Sequence, residues 1–119
     1  MNVAVIGASN KPDRYSYQAV MLLKEKGHAV FPVHQRIKEI EGMAVYSSIT
    51  DIAESMDTIS MYVSADISSA MQENIIKAKP KRIIFNPGAE NPPLEASLKA
   101  QGIEVINACT LVMLRTNQF

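Results

Sequence analysis

The sequence predicts an α/β fold: a single small Rossmann-like domain over residues 1–119, with a parallel sheet of five to six strands and helices on both faces. Strand-like and helix-like segments alternate along the whole chain, as right-handed βαβ crossovers require. The apolar runs are continuous and β-branched, which is typical of strands buried on both faces. The first run leads into a turn of small residues and then an amphipathic helix, the arrangement of a nucleotide-binding βαβ unit.

The first unit is the clearest part of the pattern. Asn2–Ile6 is predicted as a buried strand, and Tyr15–Lys26 as a helix whose apolar residues recur at helical spacing. Gly27 follows at a position typical of helix ends. Ala29–Val33 is the second strand, and Pro32 belongs near its end because proline has no N–H to donate.

The rest of the chain repeats the alternation with shorter elements. The predicted elements of the middle are a third strand at Gly42–Tyr46, a brief helix capped by Thr50 or Asp51, a fourth strand at Thr58–Val63, and a helix from an Asp66 cap to about Ala78. The last part comprises a fifth strand at Arg82–Phe85, a turn at Asn86-Pro87-Gly88, a helix from Pro92 and Pro93 to Gln101, a sixth strand at Ile103–Ile106, and a short helix or tail.

Composition excludes several classes of function. Twelve basic and twelve acidic residues leave no net charge, which gives no support to general binding of nucleic acid or anionic membranes. The single cysteine excludes an internal disulfide framework and fits a reducing compartment. No apolar run approaches the length of a membrane span or a signal peptide. Zinc-ligand spacing, a magnesium carboxylate cluster and a P-loop are also absent. We therefore expect a soluble cytoplasmic protein without a metal site.

In a doubly wound parallel sheet, ligands bind outside the carboxyl ends of the strands. The loops that leave those ends are the candidate binding loops. They are Gly7–Tyr17, Val33–Arg36, Val63–Ile67, Asn86–Glu90 and Asn107–Thr110.

The first loop favours an anion. Gly7 permits close backbone approach, Ser9 offers a hydroxyl, and Lys11 and Arg14 offer cationic donors to phosphate oxygens. Ser16 is either a further contact or only a helix cap. The alternative is a plain strand-to-helix turn with solvated charges. The loop carries only the first glycine of the dinucleotide fingerprint, which argues against a generic NAD site.

The second loop bears on which nucleotide is bound. NAD-binding folds place an acid at the end of the second strand, whereas here no carboxylate occurs before Glu39. Arg36 and Lys38 suit a phosphate on the ribose, as in NADP or coenzyme A, or are simply solvated. His34 either contacts adenine or is an ordinary surface residue.

The later loops are candidates by location. Val63, Ser64, Asn86 and Gly88 follow strands at the predicted ligand edge, although the same residue types occur in ordinary turns. Cys109 is the one reactive candidate, and an inert structural thiol is the favoured interpretation. His28 precedes the second strand and is expected at the opposite edge.

The chain resembles the small single-domain CoA-binding proteins, and is similar to the CoA-binding domains of succinyl-CoA synthetase and ADP-forming acyl-CoA synthetases. The residues that carry the resemblance are Val3-Ala4-Val5-Ile6-Gly7-Ala8-Ser9 with Pro12, Arg14, Ser16 and Tyr17, then Gly27-His28-Ala29-Val30-Phe31-Pro32-Val33, Ile40-Glu41-Gly42, Tyr46, Ser48, Asp51-Ile52, Asp57 and Cys109. The chain departs from the pattern at His34-Gln35, at Val63-Ser64 and in the tail from Thr110 to Phe119.

The resemblance implies a Rossmann-like fold whose first loop holds the CoA diphosphate. The residues it implies at the phosphates are Gly7, Ala8, Ser9, Lys11 and Arg14, with Ser16 and Tyr17 in the same motif. Val33 and His34 would line the nucleotide pocket. Val63 and Ser64 would lie beneath the pantetheine arm or the adenine edge.

The function we expect is binding of coenzyme A or an acyl-CoA without catalysis, as a sensor, a carrier or a detached subunit. The alternatives are an NAD(P)-binding protein or a non-catalytic subunit of an acyl-CoA synthetase-type enzyme. Synthetase chemistry would need a phosphohistidine domain and a nucleotide-grasp domain, and hence a partner chain. A redox role is a further possibility, with Cys109 forming a mixed disulfide with CoA.

Overall fold

The computed structural model describes residues 1–119. The elements, in chain order, are β1 (Asn2–Ile6), α1 (Tyr15–Glu25), β2 (Ala29–Val33), β3 (Glu39–Ile40), β4 (Met43–Ala44), a 3-10 turn (Ile49–Asp51), β5 (Thr58–Met61), α2 (Ala65–Ser69), α3 (Gln72–Ala78), β6 (Arg82–Phe85), α4 (Pro92–Ala100), β7 (Glu104–Asn107) and α5 (Thr110–Arg115).

The main sheet has five parallel strands in the order β2-β1-β5-β6-β7. The chain first adds β2 on one side of β1 and then crosses back to place β5 on the other side. The strand order therefore reverses between β1 and β5, and such a reversal leaves a crevice for a ligand at the carboxyl ends. The Rossmann-like α/β fold is confirmed.

Helices cover both faces of this sheet, as predicted. Alternation along β1 sends Val3 and Val5 to one face, where they pack in a cluster with Val20 and Leu23 of α1 and Leu114 of α5. On the opposite face, Ala4 and Ile6 join a larger cluster with residues of β5, β6, α3 and α4. Each large side chain buried in these clusters stabilises the fold by about 1.5–3 kcal/mol.

The predicted third strand at Gly42–Tyr46 is confirmed only as the two-residue strand Met43–Ala44, and it does not join the main sheet. Met43–Ala44 instead pairs antiparallel with Glu39–Ile40 in a separate hairpin. The cause is the turn between them, where Glu41 and Gly42 have φ of 48° and 80°. Two consecutive positive φ angles are the signature of a tight hairpin turn. Only Tyr46 reaches the main sheet, through an isolated bridge to Val33.

The predicted helix from Asp66 to Ala78 is two helices, α2 and α3, with a break at Ala70 and Met71. The buried Asn91 side chain lies beside α2, where Nδ2 donates to the Ala65 carbonyl at 3.1 Å and to Ser68 Oγ at 2.9 Å. Its Oδ1 accepts from the Leu94 N–H at the start of α4. This single side chain therefore joins α2 to the start of α4. The helix α3 begins separately at Gln72.

Two predicted caps are also wrong. Ser48, rather than Thr50 or Asp51, caps the 3-10 turn, because its Oγ accepts from the Thr50 N–H at 3.3 Å. The cap position of α2 is Ser64, and Asp66 lies in the first turn. Proline does occupy the start of α4, as predicted.

Candidate functional site

Gly7 lies where β1, β2 and β5 come closest at their carboxyl ends. Its φ is +87°, and a Cβ placed on it would stand 2.8 Å from Val63 Cγ1 and 3.3 Å from the Tyr62 carbonyl carbon. The N–H groups of Gly7 and Ala8 both donate to the Val33 carbonyl, at 3.0 and 3.2 Å. The turn is thus packed against both neighbouring strands, and only glycine fits there.

The donors left free in the first loop come after Ala8. No acceptor within the chain takes the N–H groups of Ser9 and Asn10. The helix α1 then begins without a side-chain cap and without an acidic residue in its first turn. Its first N–H groups and the positive end of its dipole are therefore available to an anion.

Two cations accompany these donors. Lys11 and Arg14 are exposed, and neither takes part in an ion pair, since the pairs in the structure are Lys81–Asp57 and Lys99–Glu95. Ser9 Oγ accepts from the Lys11 N–H at 3.1 Å and so shapes the turn. The arrangement suits a multiply charged oxyanion.

Two adjoining cavities open above this turn. The apolar cavity has a volume of about 650 Å³ and is lined by Ile6, Gly7, Val33, His34, Gln35, Arg36, Ser47, Ser48, Ile49, Val63, Ile67, Ala70, Met71 and Asn74. The polar cavity has a volume of about 880 Å³ and is lined by Gly7, Ala8, Ser9, Asn10, Lys11, Asp13, Arg14, Tyr15, Ser16, His34, Ile37, Tyr62, Val63, Ser64 and Ile67. They meet at Gly7, His34, Val63 and Ile67, and together they form one elongated cleft.

Most of the residues proposed from the sequence lie in this cleft. The polar cavity brings together Gly7, Ala8, Ser9, Lys11, Arg14, Ser16, His34, Val63 and Ser64. Val33 lines the apolar cavity, as does Arg36. Lys38 lines neither cavity.

Tyr17, Asn86 and Gly88 are not brought to the cleft. Tyr17 packs beside the α1–α5 face of the sheet, where partial burial and then the Glu41 carboxylate raise its pKa. The Gly88 N–H is occupied by Glu90 Oε1 at 2.9 Å.

Asn86 has a structural environment. It is 1% exposed, and its Nδ2 donates to Ser60 Oγ at 2.9 Å and to the Met61 carbonyl at 3.0 Å. Its Oδ1 accepts from the Thr110 N–H at 2.8 Å. Every polar atom of the side chain is therefore used within the protein, which leaves none for a ligand.

The two other reactive side chains also lie outside the cleft. Cys109 is half-buried at the start of α5. His28 lies at the amino edge of the sheet, as predicted, with its ring centroid 5.2 Å from that of Phe119. Burial, the N-terminal amine and Arg82 lower the pKa of His28.

Sequence reasoning reached one wall of the apolar cavity only at Ile67, the last residue of a candidate loop, and missed Met71 and Asn74. Ile67, Met71 and Asn74 follow one another at three- and four-residue spacing and face the cleft. That spacing was the available signal, although the same spacing also describes a helix face packed on the core.

Tyr62, in the polar cavity, was also missed. Its hydroxyl is buried without a hydrogen-bond partner. Burial raises the pKa of Tyr62 to about 12, although the nearby Ser60 and Thr110 hydroxyls oppose that shift. The side chain is therefore neutral at physiological pH.

Neither a membrane span nor a metal cluster is found. No helix has both the length and the apolar character needed to cross a membrane. No group of three or more His, Cys, Asp or Glu side chains is arranged to hold a metal ion.

Known proteins share this fold and part of this sequence. A solved structure of an uncharacterised protein has a TM-score of 0.93 and 37% identity, and covers 99% of this chain and 97% of its own. The alpha subunit of ADP-forming acetate–CoA ligase II from Pyrococcus furiosus is 41% identical over 56 residues. That match covers 46% of this chain but only 12% of the subunit.

A larger enzyme contains the same fold as one part. The dinucleotide-forming acetyl-coenzyme A synthetase 1 of Ca. Korarchaeum cryptofilum superposes with a TM-score of 0.75 at 24% identity. The match covers 90% of this chain and 25% of the synthetase chain. The sequence model of the CoA-binding domain matches residues 1–115. The chain belongs to the CoA-binding domain family.

Proposed function

We propose that this protein binds coenzyme A or an acyl-CoA in the cleft above Gly7 and performs no catalysis of its own. The observation that carries the proposal is the pairing of two cavities of different chemistry that meet at Gly7 and Val63. One is mainly apolar, and the other contains two unpaired cations and an uncapped helix start. CoA likewise joins a flat nucleobase to a diphosphate.

The residues present fit this ligand. Val33, Ile49 and Met71 offer the apolar surface that an adenine ring requires, in a cavity within the usual size range for small-molecule sites. The free N–H groups after Ala8, with Lys11 and Arg14, would hold the diphosphate. Arg36, at the apolar cavity, would pair with the 3′-phosphate. The missing Cβ of Gly7 lets the first turn pack directly against Val63 and the Tyr62 backbone, at the point where the two cavities meet.

A nicotinamide dinucleotide is the second candidate, and one observation disfavours it. The first carboxylate after β2 is Glu39, which lies in the β3–β4 hairpin and lines neither cavity. NAD-binding folds use an acid at the end of the second strand to hold the ribose hydroxyls.

A non-catalytic role is supported by the side chains at the cleft. His34 is the only imidazole there, and its Nδ1 is already bonded to backbone N–H groups. A neutral ring in that state has no free lone pair with which to act as a base. This chain matches only 12% of the ligase subunit and 25% of the synthetase chain, so the likeness extends to one part of those enzymes and not to the whole. We place the protein in the cytoplasm as a sensor, a carrier or a detached subunit.

The first test is the thermal stabilisation of the purified protein by CoA, dephospho-CoA, NAD and NADP at equal concentration. A ligand at a hundred times its Kd adds about 2.7 kcal/mol to stability, which is a readily measured shift. We expect CoA to give the largest shift and dephospho-CoA a smaller one. A response restricted to NAD or NADP, or none at all, would contradict the proposal.

The second test isolates the diphosphate contact. Arg14→Ala should weaken CoA binding by about 1–3 kcal/mol, the scale for losing a charged hydrogen bond. Arg115→Ala is the matched control, since Arg115 is equally exposed on α5 and lies outside the cleft. Equal affinities for the two variants in titration calorimetry would exclude Arg14 from the site.

A further inference from the structure

His34 occupies a special place in the cleft because it lines both cavities. It follows the last residue of β2 and is half-buried, beside Gly7 and Val63 at the boundary. A side chain there faces the part of a ligand that joins its apolar and its anionic ends. In a nucleoside diphosphate that part is the ribose and the first phosphate.

The Nδ1 atom of His34 is occupied by its own loop. It accepts the N–H of Arg36 at 3.0 Å and the N–H of Ile37 at 3.1 Å. A backbone N–H can only donate, so Nδ1 must present its lone pair. The neutral ring consequently carries its proton on Nε2, and the backbone fixes this tautomer before any ligand arrives.

We propose that His34 has two separate duties: Nδ1 shapes the loop, and Nε2–H donates a hydrogen bond to the ribose or the first phosphate of the bound nucleotide. This proposal rests on the proposed function. Nδ1 contacts the backbone of residues 36 and 37, whereas Nε2 has no partner within the protein, in a side chain that lines both cavities. The ring is held at one end, so the donor is positioned in advance and little freedom is lost on binding.

Three substitutions separate the role of Nδ1 in the loop from the role of Nε2–H toward the ligand. In His34→Asn, Oδ1 can replace Nδ1 as the acceptor of the loop, but no donor reaches the position of Nε2. In His34→Gln, the terminal amide can approach the Nε2 position, but the acceptor near the loop is lost. His34→Ala removes both groups.

The expected results differ for each variant. His34→Asn should melt at the wild-type temperature but bind CoA and ADP roughly tenfold more weakly, because both ligands carry the same 5′-diphosphate. His34→Gln should melt lower than wild type yet bind CoA more tightly than His34→Ala does. Titration calorimetry and thermal unfolding measure the two effects separately.

The tautomer can be read directly in the free protein. Long-range ¹H–¹⁵N spectra should show the proton on Nε2, and addition of CoA should shift that nitrogen more than Nδ1. A proton on Nδ1, or CoA binding by His34→Asn at wild-type strength, would overturn the donor role while the proposed function stands. Failure of the wild-type protein to bind CoA would instead overturn the proposed function, and with it the donor role.

Discussion

The carboxyl edge of the sheet has two halves that differ in whether their polar groups have partners within the protein. In the open half, after β1, β2 and β5, backbone donors and the cations Lys11 and Arg14 have no partner within the chain. In the closed half, after β6 and β7, Asn86 and its neighbours satisfy one another, and Ser60 Oγ and Thr110 Oγ1 lie 2.8 Å apart.

The difference shows that proximity to the ligand edge does not by itself make a site. Strand order reverses within the open half, between β1 and β5, so the connections diverge there and leave a crevice. In the closed half each new strand is added on the same side, β6 beside β5 and β7 beside β6. The start of α5 lies close to the end of β6, where the Thr110 N–H donates to Asn86 Oδ1. The side chains of Asn86, Ser60 and Thr110 are buried there, so their polar atoms must find partners within the protein.

The largest effect on stability is expected for Gly7→Ala, a substitution in the open half. The new Cβ would stand 2.8 Å from Val63 Cγ1 in a backbone conformation that L-residues avoid. We expect a loss of about 4 kcal/mol in unfolding free energy, from left-handed strain and overpacking together. Urea denaturation measures this loss.

Gly27→Ala is the control that separates the two causes. Gly27 has nearly the same φ, +88°, but a Cβ on it would meet nothing within 4 Å. We expect this variant to lose only about 1 kcal/mol, the conformational part alone. Equal losses for both variants would show that Val63 moves aside and that the close approach at Gly7 is not a constraint.

The next largest effect on stability is expected for Asn86→Ala, a substitution in the closed half. The substitution leaves the buried Thr110 N–H without its acceptor and removes the donor to the buried Ser60 Oγ, and should lower unfolding free energy by about 3 kcal/mol. The affinity of the folded variant for CoA should be unchanged. Weaker CoA binding at undiminished stability would instead place Asn86 in the site.

Local patterns predicted the elements that depend on local sequence. The continuous apolar strands, Gly27 after α1 and proline at the start of α4 all follow from side-chain chemistry within a few residues. The loops after the first and second strands do line the two cavities, as their place at the carboxyl ends of parallel strands predicts.

The errors come from contacts distant in sequence. Nothing near Asn86 indicates that Ser60 and Thr110 will surround it. Likewise, nothing in the sequence around α2 indicates that Asn91, a residue beyond the next strand, will hydrogen-bond Ala65 and Ser68 of that helix. A polar residue after a strand has the same local pattern whether it binds a ligand or another residue, so the sequence alone left that choice open.

The smallest effect is expected for Glu95→Gln, at the rim of the closed half. Its Oε2 lies 2.8 Å from Lys99 Nζ, and its Oε1 accepts from Asn107 Nδ2 at 2.8 Å. Lys99 first, and then Asn107, hold the pKa of Glu95 below its ordinary value of 4.5. A carboxyl whose pKa is lower in the folded state stabilises the protein above 4.5, and this contribution is lost as pH falls through the folded value.

Wild type should therefore melt slightly higher than Glu95→Gln at pH 7, and the two curves should converge in acid. Thermal unfolding from pH 7 down to pH 3 tests this, with 1 M salt as a second condition that screens the exposed pair. CoA affinity should not change, because Glu95 lines neither cavity. A gap between the curves that persists in acid would mean that Glu95 acts through a hydrogen bond that glutamine does not reproduce rather than through its charge. A loss of CoA affinity would show instead that the closed half is part of the site.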